Sequence, residues 1–177
     1  MDLESKYPLH GETYKNRKVK DCDCQKVILE SSYGNFGPLD VTFVDDDGIP
    51  TFNQAIASVT VDLSCINCAN ILLDFTGILN VTTTISASGA LTFTLFKTCR
   101  RQMTRQPLTT FTFFVADIFG GEMTSHTLAF KYPSRNDNCQ DCCTYTLELN
   151  SISNLGPGTI TYSINGTLSA LVVENPC

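Results

Sequence analysis

Residues 55–63 read AIASVTVDL, and this stretch decides the fold class. From Ala57 to Leu63 every second residue is apolar and the residues between are polar, which is the pattern of a β-strand with one buried face. The same alternation recurs in residues 91–97 (LTFTLFK) and in residues 109–116 (TTFTFFVA). No segment has an apolar period of helical length, so the sequence predicts an all-β protein.

Short apolar or alternating stretches recur along the whole chain from residue 25 onward. The predicted strands cover residues 27–29, 39–44, 55–63, 71–75, 79–85, 91–97, 109–116, 124–131, 143–149, 159–164 and 167–173. Turns are predicted at residues 45–50, 86–89 and 120–121, and at Asn165-Gly166, a dipeptide typical of a type I′ hairpin. Many short strands without a helix predict a single jelly-roll or Greek-key β-sandwich of about 8–10 strands.

The first 24 residues differ from the rest of the chain in composition. They are polar, and residues 1–20 contain five basic and three acidic residues, a charge of +2. Residues 21–177 contain seven basic and fifteen acidic residues, a charge of −8. We therefore divide the chain into an extended N-terminal connector arm, residues 1–24, and a β-sandwich domain, residues 25–177. A basic arm is attracted to an acidic body, its own or a neighbour's; the alternative is a disordered terminus.

Composition and motifs argue against several classes of function. The net charge of −6 is unlike that of a nucleic-acid-binding domain. No apolar run approaches the roughly 18 residues of a membrane span. His10 lies in the arm and His126 in a strand pattern, and no nucleophile motif or phosphate-binding glycine loop accompanies them. We expect no catalytic residue, no enzymatic activity and no cofactor.

The nine cysteines are the most informative residue type in the chain. Such usage is typical of proteins that work in an oxidising environment, yet residues 1–8 contain no apolar segment of a secretory signal. Three interpretations remain: the thiols bind metal in the cytosol, they stay free, or the protein is made inside a cell and oxidised after release by lysis. Because nine is odd, at least one cysteine is free or bonds to another chain.

The spacing of the cysteines predicts which of them need distant partners. Cys22 and Cys24 would point to the same side of an extended arm and could bond to each other only through a strained ring. Cys142 and Cys143 would point to opposite faces of a strand. We predict that Cys22 and Cys24 form intermolecular disulfides, with reduced thiols as the alternative. The candidate acceptors or intradomain disulfide partners are Cys65, Cys68, Cys99, Cys139, Cys142, Cys143 and Cys177.

Two CxxC units, 65–68 and 139–142, also match the ligand pattern of a structural zinc site. The 70 residues between them exceed the usual 15–20, and no histidine lies nearby. The strand-like flanks do not suit a redox CxxC, which favours the start of a helix. Zinc therefore stays an alternative to disulfide bonds at these positions.

Two charged clusters have both a structural and a functional interpretation. The aspartates of residues 45–47 lack the spacing of a calcium-binding loop and predict an acidic turn. Arg100, Arg101 and Arg105 follow Cys99 closely. They predict either a docking patch for an acidic surface or a solvated loop.

Six segments carry a resemblance to a known family: KVILE at 26–30, ASVTVDLSC at 57–65, ILLDF at 71–75, LTFTLFKTC at 91–99, CCTYT at 142–146 and LSA at 168–170. They resemble an uncharacterised cysteine-containing domain family of clostridial spore-formers. In plan the chain is also similar to the endospore-appendage pilins, because closely spaced arm cysteines precede a threonine-rich β body. That resemblance implies jelly-roll subunits whose sheets augment one another in a fibre and whose connectors form disulfides to other subunits. It also implies an extracellular protein of the spore or cell surface that arrives there without a secretory signal and is oxidised during assembly or after lysis.

The leading hypothesis is a structural subunit of a self-assembling extracellular fibre, a spore or cell-surface appendage. Its main partner would be itself, added head to tail by β-sheet augmentation and locked by disulfides of the arm. A related minor or tip subunit is a second candidate partner, and neither nucleic acid nor membrane is expected. The alternative is a monomeric jelly-roll binding or spore-coat module with internal disulfides or structural zinc.

Overall fold

The computed structural model of the protein describes residues 27–43, 51–64, 66, 69–84, 86–136, 141–154 and 158–174. These residues form eight β-strands and no helix. The strands are β1 (Val27–Phe43), β2 (Thr51–Asp62), β3 (Ala69–Thr83), β4 (Ala87–Cys99), β5 (Gln102–Ile118), β6 (Met123–Asn136), β7 (Cys142–Asn154) and β8 (Gly158–Glu174). The all-β prediction is confirmed, whereas the arm and the turn at residues 45–50 lie outside the described residues.

The strands form two four-stranded antiparallel sheets. The first sheet has the order β1-β8-β3-β6 and the second the order β2-β7-β4-β5. The chain changes sheets at every connection except the one between β4 and β5, which is the double Greek key of a jelly roll. The jelly-roll prediction is therefore confirmed, with eight strands. Strands β1 and β2 share one lateral side of the sandwich, and β5 and β6 share the other.

The core lies between the sheets and follows the two-residue period of the sequence. Along β8 every second residue from Ile160 to Val172 is buried, and the residues between are half-buried. At the lateral side of the core formed by β5 and β6, the ring of Phe130 lies 4.6 Å from that of Phe111, 5.4 Å from that of Phe93 and 5.9 Å from that of Phe75, measured between centroids. Such aromatic contacts bury large apolar areas, and they come from both sheets.

The hairpin predicted at Asn165-Gly166 is wrong, because β8 runs through it without interruption. Gly166 lies opposite Gly34 of β1 and Gly77 of β3, so three glycines form a row across the first sheet. A Cβ atom on Gly166 would lie 2.6 Å from Cζ of Phe75, which is too close for any side chain. Gly166 leaves room for the ring of Phe75 in the core and does not form a turn.

Two other pairs of predicted strands are also single strands. The segments 27–29 and 39–44 belong to β1, which has a register shift between Phe36 and Leu39. The segments 71–75 and 79–85 belong to β3. Polar and glycine residues interrupt the apolar pattern in both strands, but backbone hydrogen bonding to β8 continues past them. Eleven predicted segments therefore become eight strands.

The two remaining turn predictions have different outcomes. The turn at residues 120–121 is confirmed, with Gly121 at a φ of 84° and its N–H donating to the carbonyl oxygen of Thr83 at 2.8 Å. The turn at residues 86–89 is wrong in its bounds, because β4 already begins at Ala87. The described residues include no helix that is long and apolar enough to cross a membrane.

Candidate covalent assembly site at the cysteine pole

Eight strand ends meet at one end of the sandwich. In the first sheet β1 and β3 begin there and β6 and β8 end there, as the pairing of Val27 and Asn70 with Val173 shows. In the second sheet β2 and β4 end there and β5 and β7 begin there, as the pairing of Cys99 with Cys143 shows. We call this end the cysteine pole, because every cysteine of the chain lies on it or adjoins it in sequence.

Three cysteines of the pole are described, namely Cys99, Cys142 and Cys143. The other six, Cys22, Cys24, Cys65, Cys68, Cys139 and Cys177, lie outside the described residues. In sequence Cys68 directly precedes β3, while Cys24, Cys65, Cys139 and Cys177 each stand three positions from a strand end of the pole, and Cys22 stands five positions from one. Sequence analysis missed this convergence because it depends on the direction of each strand in the fold.

Cys99 and Cys143 form an intradomain disulfide between neighbouring strands of the second sheet. The two residues lie directly opposite each other on β4 and β7, with Cα atoms 4.1 Å apart. Both side chains are buried in the core. A disulfide of this kind commonly contributes about 2–5 kcal/mol to the stability of a small domain, and it removes both thiols from the set available to another chain.

Cys142 is the free thiol among the described cysteines, and it lies on the opposite face of β7 from Cys143. The prediction that these neighbours point to opposite faces is confirmed, since Cys143 is buried and Cys142 is only half-buried. Burial raises the pKa of the Cys142 thiol, and a hydrogen bond and the negative charge of Asp62, directly opposite on β2, raise it further. The thiolate that would attack a disulfide is therefore scarce at neutral pH.

Asp141 joins the loops of the pole by hydrogen bonds. Its carboxylate accepts from the N–H of Arg101 at 2.6 Å and from the N–H of Cys142 at 2.9 Å. Its carbonyl oxygen accepts from the N–H of Leu63 at 3.1 Å. One residue thus ties the β2–β3, β4–β5 and β6–β7 connections together. Nothing in the sequence singled it out, because its partners are brought together only by the fold.

The arginine cluster predicted after Cys99 is divided by the fold. Arg100 and Arg101 lie exposed in the turn at the pole, but Arg105 lies on β5. Arg105 forms an ion pair with Glu148 and lies over the ring of Phe96, 3.5 Å from its centroid. Arg105 is therefore neither part of a solvated loop nor free to bind a partner, because its charge already compensates a buried carboxylate.

Histidine and metal-ligating residues form no evident reaction centre in the described part of the chain. His126 is half-buried on β6, with Nε2 3.1 Å from Oγ1 of Thr124 and its ring edge-on to Phe113. The described residues contain no cluster of three or more His, Cys, Asp or Glu side chains that could hold a metal ion. Cys65, Cys68 and Cys139 lie outside this set, so the zinc alternative stays a prediction.

The lateral edges of the two sheets differ in composition. In the second sheet, residues 51–61 of β2 and residues 108–116 of β5 contain no charged residue and no proline. Arg105, Pro107 and Asp117 lie outside that run on β5, and the pairing of both edge strands with their neighbours has register shifts. In the first sheet, β1 contains Glu30, Pro38 and Asp40, and β6 contains Lys131 and Pro133. Charges, prolines and bulges are the usual means of keeping an edge strand from pairing with another chain. Each edge of the second sheet thus keeps one uncharged, proline-free run, on opposite sides of the sandwich.

Comparison with known proteins places the chain in a family. No curated protein matches it. A chain in the structure of infectious bursal disease virus, Gx strain, matches with 15% identity and a TM-score of 0.49, covering 84% of this chain and 32% of the viral one. A chain of the Gt strain of that virus matches with 19% identity and a TM-score of 0.43, covering 86% and 34%.

The protein thus spans about a third of the length of these viral chains. A family model matches residues 34–173, which is most of the strands described above. The protein belongs to the family described as a domain of unknown function (DUF4489).

Proposed function

We propose that the protein is a structural subunit of a self-assembling extracellular fibre, an appendage of the spore or cell surface. Neighbouring copies pair through the edges of their second sheets, and disulfides of Cys22 and Cys24 lock the contact. The observation that carries the proposal is an uncharged, proline-free run on each edge of the second sheet, residues 51–61 of β2 and residues 108–116 of β5. The similarity in plan to endospore-appendage pilins supports the same function.

Edge pairing of this kind produces a polymer. The open edges are β2 on one lateral side and β5 on the other. When β2 of one copy pairs with β5 of the next, the second sheet continues from subunit to subunit and each end keeps one open edge. Such a contact joins two different surfaces and does not close, so it extends into a filament.

The cysteine pole restricts how a covalent lock can form. Cys24 and Cys22 stand three and five positions before Val27, so at about 3.6 Å per residue they reach about 11 and 18 Å from the start of β1. A bond from them to a neighbour's pole requires the two poles to lie side by side. Lateral pairing of sheet edges brings neighbours together in that way, whereas end-to-end stacking separates the poles by the length of a strand.

An oxidising location fits the described disulfide. Cys99 and Cys143 are already bonded within the domain, and such bonds are rare in proteins that stay in a reducing cytosol. The same bond also favours the second candidate function, a monomeric binding or coat module whose cysteines serve only the fold. The two functions differ in the role they give to Cys22 and Cys24.

The test compares the wild-type protein with the double variant Cys22→Ser/Cys24→Ser by negative-stain microscopy and by non-reducing and reducing gels. We expect wild-type filaments with a ladder of disulfide-linked species that withstands boiling in detergent. The double variant should fold and lose that ladder. A matched control is Cys142→Ser, which leaves the arm cysteines in place. Uniform small particles and a single monomer band for the wild type would instead establish the monomeric module.

A further inference from the structure

A row of apolar side chains crosses the outer face of the first sheet close to the cysteine pole. Leu29 of β1 lies opposite Leu171 of β8, Leu171 opposite Leu72 of β3, and Leu72 opposite Pro133 of β6. The row spans all four strands and points away from the core. Leu29 is 69% exposed and Leu72 is 37% exposed. We call these four residues the outer apolar row.

The surroundings of the outer apolar row set it apart from the rest of that face. Val27 and Val173, also exposed, extend it toward the pole. A groove of about 570 Å³ lies over the part of the row on β8, β3 and β6, lined by Asn70, Leu72, Pro133, Leu171 and Val173 among others. Further along the same face the outward positions are mainly small polar residues such as Ser31, Asn35 and Thr167. The fold does not require apolar residues here, and a contiguous exposed apolar patch marks an interaction surface.

We propose that the outer apolar row binds residues 3–9 of the N-terminal arm of a neighbouring copy; this inference rests on the proposed fibre. The segment reads LESKYPL. In an extended chain Leu3, Tyr7 and Leu9 share one side. Pro8 disfavours a helical conformation at Tyr7 and promotes an extended one. The apolar side of the segment therefore matches an apolar groove.

The dimensions of the arm and the row agree. Tyr7 and Leu9 would stand about 6.6 Å apart in an extended chain, and four strands span about 14 Å. Both side chains therefore fit along the outer apolar row. Leu9 precedes Val27 by 18 positions, a reach of about 59 Å. That reach extends past the arm's own domain to the groove of a side-by-side neighbour.

Charge favours the same contact. Residues 1–20 carry +2, and the remainder of the chain carries −8. A basic arm is therefore attracted to the acidic body of a neighbouring copy, and opposite charges on two surfaces speed and orient their association.

The absence of tryptophan from the chain allows a direct test in the full-length protein. In the variant Leu9→Trp the only tryptophan reports the environment of residue 9. We expect its emission to shift to shorter wavelength on assembly. Adding Leu72→Glu, in the outer apolar row, should return the emission to that of a water-exposed ring. Adding Ile78→Glu is the matched control, because Ile78 is 51% exposed on the same strand and face but lies outside the row.

Three results would overturn the inference, and they can be told apart. Filaments in which the tryptophan of Leu9→Trp stays water-exposed would refute the groove and leave the fibre standing. A short-wavelength emission that persists in dilute monomers would show that the arm binds the row of its own domain. A protein that never forms filaments would refute the proposed function together with the neighbour's arm as occupant.

Discussion

The two sheets of the sandwich expose different kinds of surface. The first sheet has edges blunted by charge and proline and an apolar outer face near the pole. The second sheet has a long uncharged run on each edge, and on its outer face the buried carboxylate of Glu148 is covered by Arg105. An open edge offers backbone hydrogen bonds, whereas an apolar face offers burial of side chains. The comparison shows that one domain can provide two different contact surfaces for neighbouring chains, namely a sheet edge and an apolar face.

On the outer face of the second sheet, the chain itself covers a buried carboxylate. Glu148 is 7% exposed although it points outward. Arg105 reaches across from β5 to pair with it and lies over Phe96. On the first sheet the described residues include nothing that covers Leu29 and Leu72 in this way. The difference between the two faces is what makes the outer apolar row a candidate contact.

The largest loss of stability is expected where the two sheets approach most closely. A Cβ atom on Gly34 of β1 would overlap the carbonyl oxygen of Ile56 on β2. We expect Gly34→Val to lower the free energy of unfolding by at least about 3 kcal/mol, because the backbone must move to admit the side chain. Urea unfolding followed by circular dichroism measures it.

The neighbouring residue provides the control for that substitution. Asn35 is exposed on the same strand, and Asn35→Ala should change the free energy of unfolding by no more than about 0.5 kcal/mol. Equal stability of the two variants would contradict the close packing of β1 against β2.

A smaller effect on stability, but a complete loss of assembly, is expected at the edges of the second sheet. Ser58 on β2 and Thr112 on β5 are exposed and uncharged. Ser58→Lys/Thr112→Lys should abolish filaments seen by negative stain, because lysine on an edge strand opposes pairing. The free energy of unfolding should change by about 0.5 kcal/mol or less.

The first sheet supplies the comparison for the edge variants. Thr127→Lys places the same charge on β6, at the edge of the other sheet. Filaments should persist in this variant. If Thr127→Lys also abolishes filaments, or if the double variant keeps them, the second sheet is not the one that continues between subunits.

The smallest effect concerns the reactivity of one thiol. Burial and Asp62 both raise the pKa of Cys142, so alkylation of Cys142 should be slow at pH 8 and accelerate as the pH rises further. Asp62→Asn removes the charge but not the burial, and should therefore speed alkylation at pH 8 only in part. Mass spectrometry of the peptide that contains Cys142 gives the rate.

A carboxylate far from Cys142 is the control for a general effect of removing negative charge from the protein. Asp74 lies on β3 in the other sheet, 3.5 Å from the ammonium of Lys131. Asp74→Asn should leave the alkylation rate of Cys142 unchanged. A rate that rises equally in both variants would show that the charge of Asp62 does not act on the thiol directly.

Many of the strands could be predicted from the alternation of apolar and polar residues. A strand with one buried face produces this alternation among residues that are neighbours in the sequence. The stretch from Ala57 to Asp62 became part of β2, and the expected inward residues Ala57, Val59, Val61 and Leu63 are buried. The wrong turn prediction arose because glycine occurs in proteins for more than one structural reason. Asn165-Gly166 is typical of a hairpin, but Gly166 serves the packing of Phe75 across the sheet.

The candidate site was less accessible to sequence reasoning. The adjacency of Cys142 and Cys143 was enough to predict that they point to opposite faces. The bond between Cys99 and Cys143 could not be predicted, because it depends on the register of β4 against β7 across 44 residues of sequence. The role of Asp141, which joins three connections, depends on the same long-range arrangement.

The sequence by itself determined the all-β class, the opposite charges of residues 1–20 and residues 21–177, and an odd number of cysteines, since these follow from composition and local period. Only the tertiary structure decided that the strand ends beside all nine cysteines share one pole, and that Leu29, Leu171, Leu72 and Pro133 form one row. The reason is physical: alternation specifies which face of a strand is buried, but not which strands become neighbours. Strand order and direction are set by long-range packing, and these bring distant residues together.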